Sequence, residues 1–350
     1  MPDLREVFEM VKQQAEPDND SWAEQERRIS RAGRNRKLGA YALVAAMTVA
    51  GAVLVMSERG DNDAATPATE PSSVAPALDT GFALIDLGGG EPIYTGIISS
   101  ASGVDVSPDG TRIVYADFAS GVGRVVHVAD IDGSNVRAFD QTVQASGSVQ
   151  APRWSPDGTQ VVYQGKGRGN DIGNLYLLDV TTERVTQITD LETRTSSLYY
   201  MSPTFSPDGD AVLFTKPTSR TSDGGDPQQH WDLWTVPVTG GDLTLVRRDA
   251  IWGDFAPSGD SIVYSEATLV SPFGDLYVAR SDGTAARKLV DGSINMSRWS
   301  PDGSRIAYTD EGRDGLFVVD VETGDIERIL DTAEWPEWAD EDTMIVNLAH

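Results

Sequence analysis

The sequence predicts an all-β fold over residues 80–350, built from repeated four-stranded sheets, and three observations lead to this prediction. A turn tetrapeptide recurs at intervals of 39 to 51 residues. An apolar residue and an aromatic residue two positions apart follow most copies, so both lie on one face of a strand. A second hairpin pattern recurs between the copies. A period of this length indicates one supersecondary unit per repeat, stacked on its neighbours.

The tetrapeptide is Ser-Pro-Asp-Gly, which has the composition of a tight turn. Proline presets φ at the second position, aspartate suits the third, and glycine tolerates a positive φ at the last. We expect the aspartate to be buried, to accept backbone N–H groups and to be structural rather than catalytic. The copies lie at Ser107–Gly110, Ser155–Gly158, Ser206–Gly209 and Ser300–Gly303, with variants at Ala256–Gly259 and Ala339–Asp342. The residues assigned to this structural turn motif are Ser107, Pro108, Asp109, Gly110, Asp157, Gly158, Asp208, Gly209, Asp302 and Gly303.

Apolar residues flank every turn at fixed positions, which predicts a strand on each side. The residue before the turn is Val106, Trp154, Phe205, Phe255, Trp299 or Trp338. The third residue after it is Ile113, Val161, Val212, Ile262, Ile306 or Ile345. Two positions further on are the aromatics Tyr115, Tyr163, Phe214, Tyr264 and Tyr308, with Asn347 as the exception.

The second hairpin occurs in six copies, of which Leu175–Thr189 and Leu316–Leu330 are examples. One copy, Phe82–Gly96, precedes the first tetrapeptide, and the last tetrapeptide has no such hairpin after it. We therefore predict that Phe82–Ile97 and Trp335–Leu348 form one blade together and close a ring. The predicted fold is a six-bladed β-propeller with four-stranded blades.

Two copies of the repeat, PRWSPDGTQVVY and SRWSPDGSRIAY, carry a resemblance to a known family. They resemble the WD40-like repeats of TolB-type β-propellers, and the resemblance extends over residues 80–350. It implies the fold. It implies no particular activity, because this repeat serves many roles.

The N-terminal part contains Leu38–Met56, an uncharged run of 19 residues. As a helix it spans about 28 Å, close to the hydrocarbon thickness of a membrane. Six basic residues lie between Arg27 and Lys37, which places the N-terminus in the cytoplasm and the propeller outside, in a bacterial envelope. Residues 1–37 are predicted to be a cytoplasmic helical stub and residues 57–79 a flexible linker. The alternative, a cleaved signal peptide, is disfavoured by the length of the segment before the apolar run.

Charge and composition limit the chemistry. The net charge of −26 repels nucleic acid phosphates, so no nucleic acid partner is expected. The absence of cysteine excludes disulfides and thiolate metal sites. His127, His230 and His350 are the only histidines and no Gly-x-Ser-x-Gly motif occurs, so we expect no catalytic residue, metal or cofactor. His127 occupies a strand position that is aromatic elsewhere and is predicted to be structural, and Asp130–Gly133 is predicted to be an ordinary turn rather than a calcium loop.

The candidate binding site follows from the loops. Both sets of short turns are predicted to lie on one face, which leaves the longer, variable segments Gly165–Gly173, Asp190–Ser202 and Lys216–Trp231 on the other. Long loops on a rigid scaffold are where recognition usually takes place. We predict a non-enzymatic module that binds an unknown protein or small ligand at this face. The predicted contact residues are Arg194, Tyr199, Tyr200, Arg220, His230 and Trp231.

Two other functions agree with the sequence. The chain is alternatively a transmembrane sensor that signals through its N-terminal stub, or a propeller accessory of a peptidase or hydrolase system. The membrane contact in each case is Leu38–Met56.

Overall fold

The computed structural model describes residues 81–97, 102–119, 123–139, 149–165, 173–191, 201–220, 228–268, 271 and 273–348. Every regular element among them is a β-strand, which agrees with the predicted all-β class. None of these described residues forms a helix that could cross a membrane. The predicted helical stub, Leu38–Met56 and the linker 57–79 lie outside the described residues.

The strands are numbered in chain order. They are β1 Gly81–Asp86, β2 Ile93–Tyr94, β3 Ser102–Val106, β4 Arg112–Ala119, β5 Gly123–Asp130, β6 Arg137–Phe139, β7 Val149–Trp154, β8 Gln160–Gly165, β9 Asn174–Asp179, β10 Val185–Gln187, β11 Thr204–Phe205, β12 Ala211–Arg220, β13 Gln228–Pro237, β14 Thr244–Arg247, β15 Ala250–Phe255, β16 Ser261–Glu266, β17 Gly274–Arg280, β18 Arg287–Trp299, β19 Arg305–Asp310, β20 Leu316–Asp320, β21 Ile326–Leu330, β22 Glu334–Trp338 and β23 Thr343–Leu348.

Antiparallel pairing of consecutive strands builds most of the sheets. Strands β3 to β6, β7 to β10 and β11 to β14 each form a four-stranded sheet in chain order. Strands β15 to β21 form one seven-stranded sheet. Its 13-residue strand β18 pairs with β17 near its start and with β19 near its end, so it serves two successive repeats.

The remaining sheet joins the two ends of the repeat region in the order β2-β1-β23-β22. Strand β1 pairs antiparallel with β23 from Gly81 opposite Leu348 to Asp86 opposite Thr343. The prediction that Phe82–Ile97 and Trp335–Leu348 share a sheet is therefore confirmed.

Apolar side chains fill the spaces between successive sheets. Val114 on β4 packs in one buried cluster with Tyr163 on β8, and Leu177 on β9 packs in another with Phe214 on β12. Each sheet thus buries both of its faces, which a single four-stranded sheet cannot do alone. The first strands of successive repeats also contact one another, and β22 contacts β3.

The predicted backbone conformation of the turns is confirmed, whereas the predicted burial of their aspartates is not. The closing glycines have positive φ, for example 70° at Gly110 and 68° at Gly158. The hydroxyl of Ser155 donates to Asp157 Oδ1 at 2.6 Å, and the N–H of Thr159 donates to the same oxygen at 3.0 Å. The expectation of a buried aspartate is wrong. The serine is buried, whereas the aspartate lies at the surface, where its three donors from Ser155 and Thr159 belong to the turn itself. The exposed aspartates are Asp109, Asp157, Asp208 and Asp302.

The aromatic positions form stacked pairs across neighbouring strands. Tyr163 stacks on Tyr176 with ring centroids 5.6 Å apart, and Tyr308 stacks on Phe317 at 5.5 Å. His127 takes the same position and stacks on Tyr115 at 5.2 Å. The structural role predicted for His127 is therefore confirmed.

Candidate functional site at the connection face

The sheets have two opposite edges that differ in the length of their loops. The inner and outer turns of each repeat lie side by side, since the N–H of Ile131 donates to Thr111 O at 2.9 Å and that of Val180 to Thr159 O at 3.1 Å. We call this edge the turn face. The opposite edge, where the second strand of a repeat connects to the third, is the connection face. This arrangement confirms that both sets of turns lie together.

The longest hairpin that reaches the connection face is β12–β13. Its two strands have ten residues each, compared with six in β8 and β9, and they pair as far as Arg220 opposite Gln228. Four extra residues extend the hairpin by about 13 Å. The sequence predicted that Lys216–Trp231 is a loop, which is wrong for its described part, because strand pairing continues well beyond the length of the repeat.

Two of the predicted contact residues meet on this hairpin. Arg220 Nη2 donates to Asp232 Oδ1 at 2.8 Å and to Asp249 Oδ1 at 2.6 Å. His230 Nδ1 lies 2.7 Å from the same Asp249 oxygen. Asp232 is buried and also accepts the Thr218 hydroxyl at 2.6 Å. Its carboxylate is therefore held in place and orients the guanidinium of Arg220. The side chain of Asp249 is 46% exposed, which leaves this carboxylate accessible to a ligand.

Trp231 does not lie with them at the surface. It is 7% exposed and belongs to a buried apolar cluster with Trp252, Met296 and Trp335. The expectation that Trp231 is an exposed aromatic for partner contact is therefore wrong. Successive residues of a strand point to opposite sides, so His230 lies on the side away from this cluster, against Asp249, with its side chain 18% exposed. The other predicted contact residues, Arg194, Tyr199 and Tyr200, lie outside the described residues.

A set of polar side chains on the innermost strands was missed by the sequence analysis. Each stands two residues before the first turn position, and all are buried. We call these residues the central cluster: Asp105, Arg153, Thr204, Asp254, Arg298 and Glu337. Their common signal was a polar residue at an inward position in every repeat, next to a conspicuous turn.

The central cluster connects strands that are not neighbours. Glu337 on β22 forms ion pairs with Arg153 on β7 and with Arg298 on β18, the latter with Nε 3.0 Å from Oε2. Arg153 also lies 3.6 Å from Asp105. On the other side, Thr204 donates to Asp254 Oδ1 at 3.0 Å. An unpaired buried charge has a large desolvation penalty. The ion pairs and hydrogen bonds of the central cluster offset this penalty.

Three carboxylates face two guanidiniums in the central cluster, so one negative charge is in excess. Asp105 is the carboxylate at the longer distance from Arg153. Burial raises the pKa of Asp105 to about 7, against the opposing effect of the Arg153 charge. Around Arg153, in contrast, the charges of Asp105 and Glu337 outweigh burial and raise its pKa. Burial in this cluster thus favours the protonated form of the Asp105 carboxyl group.

Between the central cluster and the connection face, the inner strands have a further repeated position, four residues before the turn. In five of the six repeats the backbone there has positive φ, for example 57° at Trp252 and 54° at Trp335. Such values are unusual for bulky residues and cluster at functional sites. Pairing registers shift next to these positions, which are β-bulges. The residues with positive φ are Gly103, Ala151, Ser202, Trp252 and Trp335.

This arrangement of repeats matches a known family. The model of the TolB β-propeller domain matches residues 97–271, which is half of the 350-residue chain. The chain belongs to the TolB β-propeller family.

Two relatives and one solved structure show how far the TolB propeller similarity extends. An uncharacterised protein of Agrobacterium fabrum is 27% identical over 218 residues, covering 58% of this chain and 67% of that protein. Dipeptidyl-peptidase 5 of Porphyromonas gingivalis is 24% identical over 317 residues, covering 72% of this chain and 45% of that protein. The crystal structure of TolB from Acinetobacter baumannii aligns with a TM-score of 0.52 and 16% identity, covering 77% of this chain and 63% of that one. The chain therefore spans about half to two thirds of the length of these proteins.

The described surface of the TolB propeller has a cavity on each face. The cavity on the turn face has a volume of about 600 Å³ and is lined by residues of three turns. Among its acidic residues, Asp340 already accepts the N–H groups of Asp342 and Thr343 at 2.8 and 2.7 Å. The cavity on the connection face, of about 290 Å³, lies between β19–β20 and the segment before β22.

Metal ligands do not come together in the part of the chain that the structure describes: no group of three or more His, Asp or Glu residues there could hold an ion. The Asp130–Gly133 segment is an ordinary turn. Asp130 Oδ2 accepts the Asn135 amide at 2.6 Å, and Asp132 Oδ1 accepts the Ser134 N–H at 2.9 Å.

Proposed function

We propose that this TolB-family propeller is a non-enzymatic binding module, anchored in the cell membrane by Leu38–Met56, that binds a protein or small ligand outside the cytoplasm at its connection face. The observation that carries the proposal is the cluster of Arg220, His230 and Asp249 at the end of the longest hairpin. The buried Asp232 carboxylate orients Arg220, and the Asp249 side chain remains 46% exposed and so accessible to a partner. Fixed polar groups at the edge of a rigid scaffold are suited to recognition.

Six four-stranded blades are part of the proposal. Three sheets have four strands each, the shared sheet has four, and the seven-stranded sheet divides at β18 into two more. The first strands of the repeats contact one another in the order β3, β7, β11, β15, β18 and β22, and β22 contacts β3. These contacts support a closed ring with one inner strand from each blade.

A capture experiment tests the binding role. Tagged full-length chain is expressed in its own cells, cross-linked and purified, and the co-purifying molecules are compared between wild type and Asp249→Asn. We expect the variant to lose its main partner while its melting temperature stays within a few degrees. Asp325→Asn, an exposed change on the turn face, serves as the control and retains the partner. Loss of the partner in Asp325→Asn, with retention in Asp249→Asn, would place recognition on the turn face and contradict the proposal.

Thiol labelling tests the membrane anchor separately. The chain has no cysteine, so single cysteines at Ser72 and Ser21 give an unambiguous signal. With Leu38–Met56 spanning the membrane, an impermeant reagent on intact cells labels Ser72→Cys and leaves Ser21→Cys unlabelled. Labelling of the second variant alone contradicts the proposed orientation.

A second function has one observation in its favour. Dipeptidyl-peptidase 5 resembles this chain over 72% of the chain's length, although the match covers 45% of that protein. This supports the alternative of a propeller accessory to a peptidase system. The capture experiment distinguishes the two, because a peptidase partner would then be the molecule that Asp249→Asn loses.

A further inference from the structure

The cavity on the connection face between β19–β20 and β22 has a lining that consists mainly of hydrogen-bond acceptors. Its volume is about 290 Å³, at the lower end of the range for ligand sites. It lies above the apolar core between the two sheets, to which Ala307 and Leu316 contribute. The lining residues are Asn295, Thr309, Asp310, Glu311, Asp314, Gly315, Thr332, Ala333 and Glu334.

Two polar side chains in this lining each have an oxygen that forms no hydrogen bond with the described residues. Thr309 is 8% exposed, and its hydroxyl forms no hydrogen bond with any described residue. The side-chain oxygen of Asn295 is buried and likewise lacks a partner, while its amide nitrogen donates to Glu311 at 3.0 Å. Buried polar groups are nearly always paired, so the Asn295 oxygen is an exception, whereas the Thr309 hydroxyl is open to the cavity and can bond a molecule there.

The charges around the cavity are predominantly negative. Asp310 is neutralised by an ion pair with Arg313, and its Oδ1 accepts the Gly312 N–H at 2.9 Å. Glu311, Asp314 and Glu334 are exposed carboxylates that no described lysine or arginine pairs with. Arg328 is the other nearby cation, and it is already engaged with Asp331 and with the carbonyl of Asp314.

We propose that this cavity binds the primary ammonium group of a small molecule. An ammonium offers three N–H donors and one positive charge, which match the Thr309 hydroxyl and the surplus carboxylates of the lining. The acidic side chains are not grouped as a metal ion requires in the described part of the chain. The site lies in different sheets from Arg220 and His230, so it binds its ligand whether or not the proposed partner site is correct.

Titration calorimetry of the full-length chain with 1,5-diaminopentane tests this proposal. We expect binding that weakens as salt is raised from about 50 to about 500 mM, and at least about tenfold weaker binding of 1,5-pentanediol, which has the same shape without the charge. A capped Gly-Lys-Gly peptide identifies the source of the ammonium. Binding of the peptide in preference to the diamine would overturn the assignment to a small molecule.

Two variants locate the site. Thr309→Val keeps the shape and removes only the unpaired hydroxyl, so it should weaken diamine binding about fivefold with an unchanged or higher melting temperature. Glu334→Gln, an exposed change that leaves folding intact, should weaken binding about threefold or more. Glu322→Gln removes the same charge from the turn face of the same region and should bind as wild type. Equal binding by wild type, Thr309→Val and Glu334→Gln would overturn the proposal, as would an equal loss in Glu322→Gln.

Discussion

The turn face and the connection face are opposite ends of the same strands, yet they differ in regularity. At the turn face, each Ser-Pro-Asp-Gly turn repeats the same bonds, and the glycine of one turn lies against the proline of the preceding one, as Gly158 does against Pro108. At the connection face, hairpin length, charge and exposed groups change from repeat to repeat. The comparison indicates that the turn face and inner strands stabilise the fold, whereas the connection face is free to acquire a binding function.

The largest expected effect concerns the inner strands. Glu337→Leu removes the carboxylate that pairs with both Arg153 and Arg298 and leaves buried guanidiniums without it. We expect a loss of about 3–5 kcal/mol in the free energy of unfolding, measured by chemical denaturation. Glu327→Leu, on the exposed strand β21, is the control and should change stability by less than about 0.5 kcal/mol. Similar values for the two variants would show that the central cluster is not stabilising.

Trp231→Ala tests whether the β12–β13 hairpin contributes both to the stability of the core and to partner binding. Trp231 is buried in the core, so its truncation should cost about 3–5 kcal/mol of stability. His230→Ala, one residue earlier and outside this apolar cluster, should cost much less stability than Trp231→Ala and weaken capture of the partner. If Trp231→Ala melts as wild type and only loses the partner, the tryptophan is a surface contact after all.

The pH dependence of stability tests the excess charge of the central cluster. Burial raises the folded pKa of Asp105 from 3.8 to about 7, so the folded protein holds a proton there that the unfolded chain releases. Stability from this group is therefore complete below pH 3.8 and is lost as the pH rises toward about 7. Asp105→Asn imitates the protonated form. It should match wild type in acid and exceed it at pH 8, and a variant less stable than wild type at pH 8 would contradict this assignment.

A smaller effect is expected from the local bonds of the turns. The Ser155 hydroxyl donates to Asp157 and accepts the Gln160 N–H at 2.9 Å, so Ser155→Ala removes two hydrogen bonds and should cost about 1–2 kcal/mol. Asp249→Asn at the connection face should show the opposite behaviour, with unchanged stability and altered binding. Thermal unfolding and partner capture on the same two variants check this contrast, which fails if Ser155→Ala is neutral.

The regular end of the strands is the part that the sequence could predict. The turns, their apolar neighbours and the sharing of the last sheet all follow from a motif that repeats the same local chemistry. The exposure of Trp231 was mispredicted because pairing in β12–β13 continues past the repeat, where periodicity gives no guidance. Thr309 and Glu334 line the cavity on the connection face between β19–β20 and β22 but come from separate segments of the chain. No local sequence pattern predicts that such residues lie together.

The smallest expected effect concerns Asn347, which departs from the repeat pattern within the otherwise regular strands. Asn347 replaces the aromatic of other repeats, lies opposite Phe82 and is 2% exposed, and its side-chain oxygen has no hydrogen-bond partner. An unpaired buried acceptor costs about 1–3 kcal/mol. Asn347→Leu has a similar volume and should therefore raise the free energy of unfolding by about 1 kcal/mol, measured in denaturant. Asn174→Leu is the matched control and should destabilise, because the Asn174 oxygen accepts the Thr189 hydroxyl at 3.0 Å and the Leu191 N–H at 2.8 Å. If both substitutions lower stability alike, Asn347 has a partner and the repeat does not fail at this position.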